Sequence, residues 1–283
     1  MADPNDTLAE VSAKTVRAVE YIRRMRGGCQ SHLMRCSDGH YYVVKFPNNP
    51  QGRRVLANEL LCTALAKLLL LPAAHGAVVF VSDDLVRYSD DLCIQHGFGR
   101  TPCESGLCFG SRFLVDPRGQ SVYHYCPGNI RTQVSNLQDF CGMLVFDIWT
   151  SNADDRQIAF LPSASGSYRA VMIDHGSCFG GQAWQFASSP RGSLYLDTRV
   201  YEGVSGIDAF QHWFNRLGEI TREVLTAVAT RIPSVWYGGD SASLDELLDQ
   251  LHKRKNAVRD KIQFLGNAFP NVFPNWTPRA RCA

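Results

Sequence analysis

The N-terminal part of the chain alternates apolar and polar residues with the period of β-strands. Three such runs cover residues 15–25, 31–36 and 41–46, and their alternation predicts strands with one buried face. The first two runs are separated by the turn-prone pair Gly27-Gly28. The second and third flank Ser37-Asp38-Gly39-His40, where Asp-Gly is a strong hairpin signal. The pattern therefore predicts strand, glycine turn, strand, tight turn, strand.

Helical spacing replaces this alternation further along the chain. Apolar residues recur every three or four positions over residues 53–71, and Pro72 ends the run, which predicts an amphipathic helix. Further helices are predicted over residues 136–149, 208–232 and 243–264. Short strand-like runs remain between them, namely AVVFV, CFGSRFLV, IAFL and AVMI. The loop-rich tract over residues 89–127 contains the second of these runs, and the whole pattern predicts an α+β protein.

Strands dominate the first part of the chain and helices the second, which indicates two lobes. The polar residues 1–14 are expected to form a flexible leader. Residues 15–120 are expected to form a β-rich N-terminal lobe, and residues 121–283 a helical C-terminal lobe.

The composition is that of an ordinary globular protein, with 45% hydrophobic and 20% charged residues. A formal net charge of +2 provides no strong field to attract nucleic acid or an anionic membrane, so neither is expected as a direct partner. The N-terminus has no apolar segment typical of a secretory signal, and no apolar run reaches the roughly 20 residues that span a bilayer. We therefore expect a cytoplasmic protein.

Ten cysteines are scattered along the chain without a CxxC pair. In a chain without an export signal, this distribution predicts reduced and mostly buried thiols. The alternative is a zinc site built from Cys103 and Cys108 with Cys93 or His96, although the spacing is loose.

A lysine and a glutamate occupy positions that suit phosphate binding. Lys45 lies near the end of the third strand-like run, at an alternation position that can face inward beneath the Gly27-Gly28 turn, and Glu59 lies on the helix that follows. A buried lysine held by a glutamate is well placed to bind nucleotide phosphates. The alternative is that Lys45 extends from a sheet edge into solvent while Glu59 lies on an exposed helix face.

Two acidic segments follow apolar elements in the second half of the chain. The helix predicted at residues 136–149 leads into a polar loop that carries Asn152, Asp154, Asp155, Arg156 and Gln157. These polar groups must be either solvated or in contact with a ligand. If the loop is solvated, Asp155 is expected to pair with Arg156. The run AVMI ends at Asp174, and a carboxylate at the tip of a buried strand is a typical Mg²⁺ ligand or, alternatively, the start of a turn.

The order of these features resembles that of a protein-kinase-like fold. A glycine turn, a strand lysine, a helix glutamate, an aspartate loop and a strand-terminal Asp-His-Gly succeed one another. The chain resembles the HipA-like kinase family of bacterial kinases over residues 21–267. The stretches that carry the likeness are RRMRGGCQSHLMRCSDGHYYVVKFPNNPQGRRVLANEL, LCFGSRF, FDIWTSNADDRQIAF, MIDHGSCFGG and IPSVWY.

The resemblance implies a two-lobed protein-kinase-like fold that uses ATP and Mg²⁺. It also implies that Gly27, Gly28 and Gln30 belong to the loop covering the phosphates. Lys45 would bind those phosphates, and Glu59 would orient the lysine.

The same resemblance implies roles for the two acidic segments. Asp154 would accept the proton of the substrate hydroxyl, and Asp174 would bind the metal. His175 stands where kinases usually have phenylalanine.

One position departs from the kinase pattern. Kinase catalytic loops place a metal-binding asparagine five residues after the catalytic aspartate, and Ala159 stands there. Gln157 or Asn152 can supply an amide oxygen instead. A shift of one residue in the loop would give the role of Asp154 to Asp155.

Three functions remain open from the sequence. The first is a serine/threonine protein kinase, whose phosphate acceptor is an unknown protein or small molecule. The second, favoured by Ala159, is a pseudokinase or nucleotide-binding interaction module without turnover. The third is a small-molecule or lipid kinase, because one fold serves many substrates.

Overall fold

The computed structural model describes residues 15–119, 122–186 and 193–277. The predicted leader at residues 1–14 and Cys282 lie outside these described residues. Strands and helices are both present among the described residues. Among the described residues, no helix is long and apolar enough to cross a bilayer.

The N-terminal strands form a closed barrel in the order β1-β2-β3-β7-β4. Its strands are β1 (Val16–Arg24), β2 (His32–Cys36), β3 (Tyr41–Lys45), β4 (Gly76–Val81) and β7 (Gly106–Arg112). Neighbouring strands in the barrel run antiparallel, except for the short parallel pairing of β1 with β4. Closure leaves the barrel strands without a free edge.

Two separate hairpins complete the strand content of the described residues. They are β5 (Cys93–His96) with β6 (Gly99–Pro102), and β8 (Gln157–Pro162) with β9 (Tyr168–Ile173).

The helices lie mostly in the second half of the chain. They are α1 (Arg54–Leu68), α2 (Asp83–Arg87), α3 (Ile130–Gln133), α4 (Asp139–Thr150), α5 (Gln211–Glu219), α6 (Arg222–Ala229), α7 (Ser241–Arg254) and α8 (Val258–Ala268). Helix α1 is buried on every side from Val55 to Ala66, so it is a core element and not the amphipathic helix that its spacing predicted.

Alternation along the barrel strands gives the sheet two different faces. Met34, Tyr42 and Val44 point into the barrel and form part of its apolar core. Lys45 lies on the opposite face of β3, which Val43 also occupies. The residues of this outer face of β3 are therefore available to line a site.

The structure differs from the sequence prediction in several regions. The short helices α2 and α3 were not predicted. The tract at residues 89–127, predicted as loop-rich, contains the β5–β6 hairpin. The single helical run predicted over residues 208–232 is divided into α5 and α6, because Thr221 starts a new helix by accepting a hydrogen bond from Val224 N.

All nine cysteines within the described residues are free thiols, as the sequence predicted. Cys103 and Cys108 are buried separately, and Cys103 Sγ lies 3.6 Å from His32 Nε2. No group of three or more His, Cys, Asp or Glu side chains in the described residues is placed to hold a metal ion. The alternative zinc site is therefore not formed there.

We expect His32→Phe to weaken the dependence of stability on pH. Burial lowers the pKa of His32 from 6.5 to about 4. Between these two pH values the unfolded chain binds a proton at His32 and the folded protein does not, so the folded protein loses stability as the pH falls from 6.5 toward 4. The parent should therefore lose up to about 1.4 kcal/mol per pH unit more than the variant in this window. Urea unfolding at several pH values measures the difference, and parallel curves would contradict it.

Candidate active site

Lys45, Glu59 and Asp174 form a buried ionic cluster between the barrel, α1 and the end of β9. Lys45 Nζ donates to Glu59 Oε1 and, at 2.8 Å, to Asp174 Oδ1. Lys45 is 5% exposed and Glu59 is 1% exposed, whereas the Asp174 side chain is 33% exposed. The structure therefore excludes the alternative in which Lys45 and Glu59 face solvent.

Electrostatics keep Lys45 and Asp174 of this cluster charged. Burial opposes the charged form of Lys45, but the two carboxylates raise its pKa well above the ordinary value. Burial also opposes ionisation of Asp174, yet Lys45 holds the pKa of Asp174 below its ordinary value. Burial and Asp174 together raise the pKa of Glu59 to about 7 against the opposing effect of Lys45. Asp174 is thus the carboxylate most ready to bind a cation.

Backbone geometry at Asp174 supports a special role for this residue. Its φ of 56° places a non-glycine residue in the left-handed region, and such conformations concentrate at functional sites. The turn presents successive N–H groups to carboxylates. His175 N donates to Glu59 Oε2 at 2.9 Å, and Gly176 N donates to Asp174 Oδ1 at 3.4 Å.

Asn58 fastens α1 to the segment that follows Asp174. Its Nδ2 lies within 2.9 to 3.1 Å of the carbonyl oxygens of Gly176, Cys178 and Gly181. Its Oδ1 accepts from Trp184 Nε1 at 2.7 Å. Because Asn58 is fully buried and precedes Glu59, these bonds fix the helix that orients Lys45.

We expect Asn58→Ala to destabilise the protein by about 1–3 kcal/mol, because it leaves three carbonyl groups and an indole N–H without their partner. Asn215→Ala on the exposed face of α5 is the matched control and should change stability by less than about 0.5 kcal/mol. Urea unfolding of both variants measures the difference. Equal stability of the two variants would contradict the assigned role of Asn58.

The glycine turn leads into Cys29, which lies beside Lys45. Gly27 has a φ of 123°, which a side chain would strain, and Gly28 lies against the side chain of Gln51. Cys29 is buried beside Lys45, where burial raises the pKa of its thiol to about 11 against the opposing charge of Lys45. The turn therefore covers the end of β3 that carries Lys45.

Gln30 does not join this cluster. Its side-chain amide donates to Gln95 O and accepts from Gln95 N, both at 2.8 Å. Its own N–H donates to Gly27 O at 3.1 Å. These bonds tie the glycine turn to the β5–β6 hairpin, so the contact that the structure assigns to Gln30 is with protein.

Arg156 is buried at the end of the polar loop and does not pair with Asp155. It forms a two-pronged ion pair with Asp147 of α4, in which Arg156 Nε lies 2.9 Å from Asp147 Oδ2. Its Nη1 also donates to the carbonyl oxygens of Ile173 and Asp174, at 3.2 and 3.3 Å. The guanidinium thus joins α4 to the end of β9, where Asp174 lies. The solvated interpretation of this loop is wrong for Arg156.

His175 takes the buried position after Asp174. Its Nδ1 accepts from Arg156 Nη1 at 3.2 Å, and its ring packs edge-on against Phe146 with centroids 5.6 Å apart. Burial and the charge of Arg156 lower the pKa of His175 well below its ordinary value. His175 is therefore a neutral core residue that helps to fix the turn.

The polar loop exposes its two aspartates. Asp154 and Asp155 are both exposed, and Asp155 N donates to Asp154 Oδ1 at 2.8 Å. Ala153 N donates to Ser177 O at 3.1 Å, which ties the loop to the segment after Asp174. The structure thus brings this acidic loop to the cluster, and both aspartates remain available to a substrate.

Of the two amide residues predicted as metal ligands, only Gln157 lies beside Asp174. It starts β8 opposite Ile173, and its Nε2 lies 3.4 Å from Asp174 Oδ2. Rotation of the amide would turn its oxygen toward the same point. Asn152 is 6% exposed and accepts from Asp154 N at 3.4 Å, so it supports the loop.

Ala159 lies inside β8 and is 1% exposed. The polar loop ends before this position, because β8 begins at Gln157. Alternation along β8 puts Ala159 on the same side of the strand as Gln157, but its methyl group offers no oxygen to a metal.

The outer face of β1–β3 lines a cavity away from Lys45. Glu20, Arg35 and Tyr41 are cross-strand neighbours in register on this face. A cavity of about 520 Å³ is lined by these residues together with Ile22, Arg23, Gly39, Pro117 and Arg118. Tyr41 lies four residues before Lys45 in β3, which corresponds to about 13 Å along the strand.

Sequence reasoning missed two residues that support the site, Asn58 and Asp147. Both are polar residues within apolar helical sequence, ANELL and LVFDIW. A polar side chain in a buried helix requires a buried partner, and this requirement is the signal that was available.

Comparisons with known proteins place this chain in a family. The profile of the HipA-like kinase family matches residues 18–263, and the chain belongs to that family. A comparison with curated proteins found no match. The family is that of kinase-type phosphotransferases.

Solved structures of kinases share the fold at low sequence identity. A Fam20 from hydra with sugar aligns with a TM-score of 0.57 and 14% identity over 96% of this chain and 92% of that chain. A Golgi casein kinase with Mn/ADP bound aligns with a TM-score of 0.51 and 13% identity over 91% of this chain and 75% of that chain. The Helicobacter pylori proinflammatory kinase CtkA aligns with a TM-score of 0.51 and 12% identity over 86% of this chain and 99% of that chain. These likenesses establish a kinase-like fold.

Proposed function

We propose that this protein is an ATP-dependent protein kinase that transfers the γ-phosphate to a serine or threonine hydroxyl. The observation that carries the proposal is the ion pair of Lys45 with both Glu59 and Asp174, beneath the glycine turn. This arrangement joins a phosphate-binding cation to a carboxylate that can hold a divalent ion. Membership of the HipA-like kinase family supports the same activity.

We further propose two lobes, with residues 15–120 as the N-lobe and residues 121–283 as the C-lobe. The β1–β4 and β7 barrel belongs to the first, and most of the helices belong to the second. ATP would lie between them, with its phosphates at Lys45. The Golgi casein kinase with Mn/ADP bound supports nucleotide binding in this fold.

The residues around Asp174 fit a Mg²⁺ ion. The Asp174 carboxylate is ionised and partly exposed, and Gln157 adds an amide oxygen after rotation. Mg²⁺ commonly uses one or two protein ligands together with water and phosphate oxygens. When bound, the ion neutralises charge on the phosphates.

The transfer step assigns the proton to the acidic loop. Asp154 would accept the proton of the acceptor hydroxyl while the oxygen of that hydroxyl forms a bond to the γ-phosphorus. The bond from that phosphorus to the β–γ bridging oxygen breaks, and ADP leaves. Lys45 would hold the non-reacting phosphates, and Glu59 would hold Lys45.

A nucleotide-binding module without turnover is the second candidate, and Ala159 favours it. Mass-spectrometric mapping of phosphosites, after incubation of the pure protein and of a cell lysate with ATP and Mg²⁺, distinguishes the two. Phosphorylated serine or threonine that depends on added protein supports the kinase. ATP binding with neither phosphosites nor turnover supports the module.

A further inference from the structure

The barrel has an open end that the kinase chemistry does not use. Three polar side chains come to this end because each continues the inward-facing positions of its strand. His40 precedes inward-facing Tyr42 by two residues, and His75 precedes Ala77 by two. Arg112 follows Gly110, whose Cα faces Val79 and Tyr42 inside the barrel.

These residues line a cavity of about 550 Å³. Its wall is completed by Tyr41 and by the segment from Phe113 to Asp116, which follows β7. Arg112 N donates to His75 O at 2.8 Å, which holds the two sides of the mouth together. The volume is within the range of small-molecule sites.

Hydrogen bonds fix the histidines as donors toward a ligand. Arg112 Nη2 lies 3.1 Å from His40 Nδ1, and Lys67 Nζ lies 2.9 Å from His75 Nδ1. A cationic side chain can only donate, so each Nδ1 is an acceptor and each imidazole proton is on Nε2. The mouth therefore offers two imidazole N–H groups and a guanidinium.

Positive charge exceeds negative charge at this mouth. Among the described residues, no carboxylate lies within ion-pair distance of Arg112. Asp116 is paired with Arg118 at 2.8 Å, and Asp38 is bonded to the Tyr42 hydroxyl at 2.8 Å. Burial first, then Lys67 and Arg112, lower the pKa of His75 to about 4, which exceeds the opposing effect of Asp38.

We propose that the open end of the barrel is a binding site for a small molecule that carries a phosphate group. The guanidinium and the imidazole N–H groups of His40 and His75 approach from three chain segments, which suits a tetrahedral, doubly charged group. Phe113 and Tyr41 provide apolar surface for the rest of the molecule. This site is separate from Lys45, and the proposal does not depend on phosphate transfer.

The test is a titration of the full chain with inorganic phosphate, followed by the imidazole signals in ¹H–¹⁵N NMR spectra. We expect the signals of His40 and His75, assigned with His40→Gln and His75→Gln, to shift saturably. Sodium acetate at matched ionic strength should not shift them. Absence of a saturable phosphate shift, or an equal shift with acetate, would overturn the proposal.

Variants separate this site from the phosphate position at Lys45. Arg112→Gln should weaken phosphate binding at these histidines by about tenfold or more, because it removes charged hydrogen bonds. Arg87→Gln, an exposed arginine on α2, is the matched control and should bind as the parent does. Lys45→Ala should leave the shifts unchanged. Shifts that survive Arg112→Gln, or that disappear in Lys45→Ala, would overturn the assignment.

Discussion

Asp174→Asn is expected to bind ATP with the same affinity whether or not Mg²⁺ is present, and to lose phosphate transfer by roughly 1,000-fold. The substitution keeps the shape of the side chain but removes the partly exposed carboxylate beside Gln157. Lys45 retains its bond to Glu59, so the phosphate-binding position itself should survive. Calorimetric titration of ATP with and without Mg²⁺, beside a transfer assay, measures both effects.

Asp90→Asn is the control for this substitution, because Asp90 is exposed and lies far from the site in the sequence. It should retain the parent's dependence on Mg²⁺ and its rate of transfer. If Asp174→Asn also retains the Mg²⁺-dependent part of ATP affinity, Asp174 is not the metal ligand.

Asp154→Asn should lose phosphate transfer but keep Mg²⁺-dependent ATP binding. Asp154 is exposed and would act on the acceptor hydroxyl, so its loss should reduce transfer by roughly 100- to 10,000-fold while Mg²⁺-dependent ATP binding is preserved. Asp155→Asn is the matched control in the same loop and should transfer phosphate at nearly the parental rate. Because both side chains are exposed, neither change should alter stability by more than about 0.5 kcal/mol.

The pair of variants also identifies the register of the loop. Loss of transfer in Asp155→Asn with retention in Asp154→Asn would move the catalytic role to Asp155. Parental rates in both variants and in the double variant would contradict the kinase mechanism at this loop and would support the nucleotide-binding module.

The strands and helices that carry the cluster were predictable from the sequence because their signals are local. Alternation predicted β3 with Lys45 at its end, and helical spacing predicted the helix that carries Glu59. The β5–β6 hairpin was missed because its strands have four residues each, too few for alternation to be distinguished from a loop. The full burial of α1 depends on what packs around it, which periodicity does not reveal.

The supporting contacts of the site were less predictable than its charged groups. Arg156 was expected beside its neighbour Asp155, but it pairs with Asp147, nine positions earlier on α4. The packing of α4 against the end of β9 determines this pairing, and adjacency in the sequence does not reveal it. Asn152 and Gln157 were equivalent candidates by chemistry, and the pairing of β8 with β9 brings Gln157 to Asp174.

The most direct measurement of the central claim is the transfer of radiolabelled γ-phosphate from ATP by the purified chain in the presence of Mg²⁺, with Asp174→Asn measured beside it. Labelled phosphoserine or phosphothreonine in the parent reaction, strongly reduced in the variant and abolished by chelation of the metal, is the result that we predict. A parent that binds ATP and Mg²⁺ yet transfers no label to protein, either alone or in a lysate, would contradict the claim that the site around Lys45 and Asp174 catalyses phosphate transfer to a protein hydroxyl.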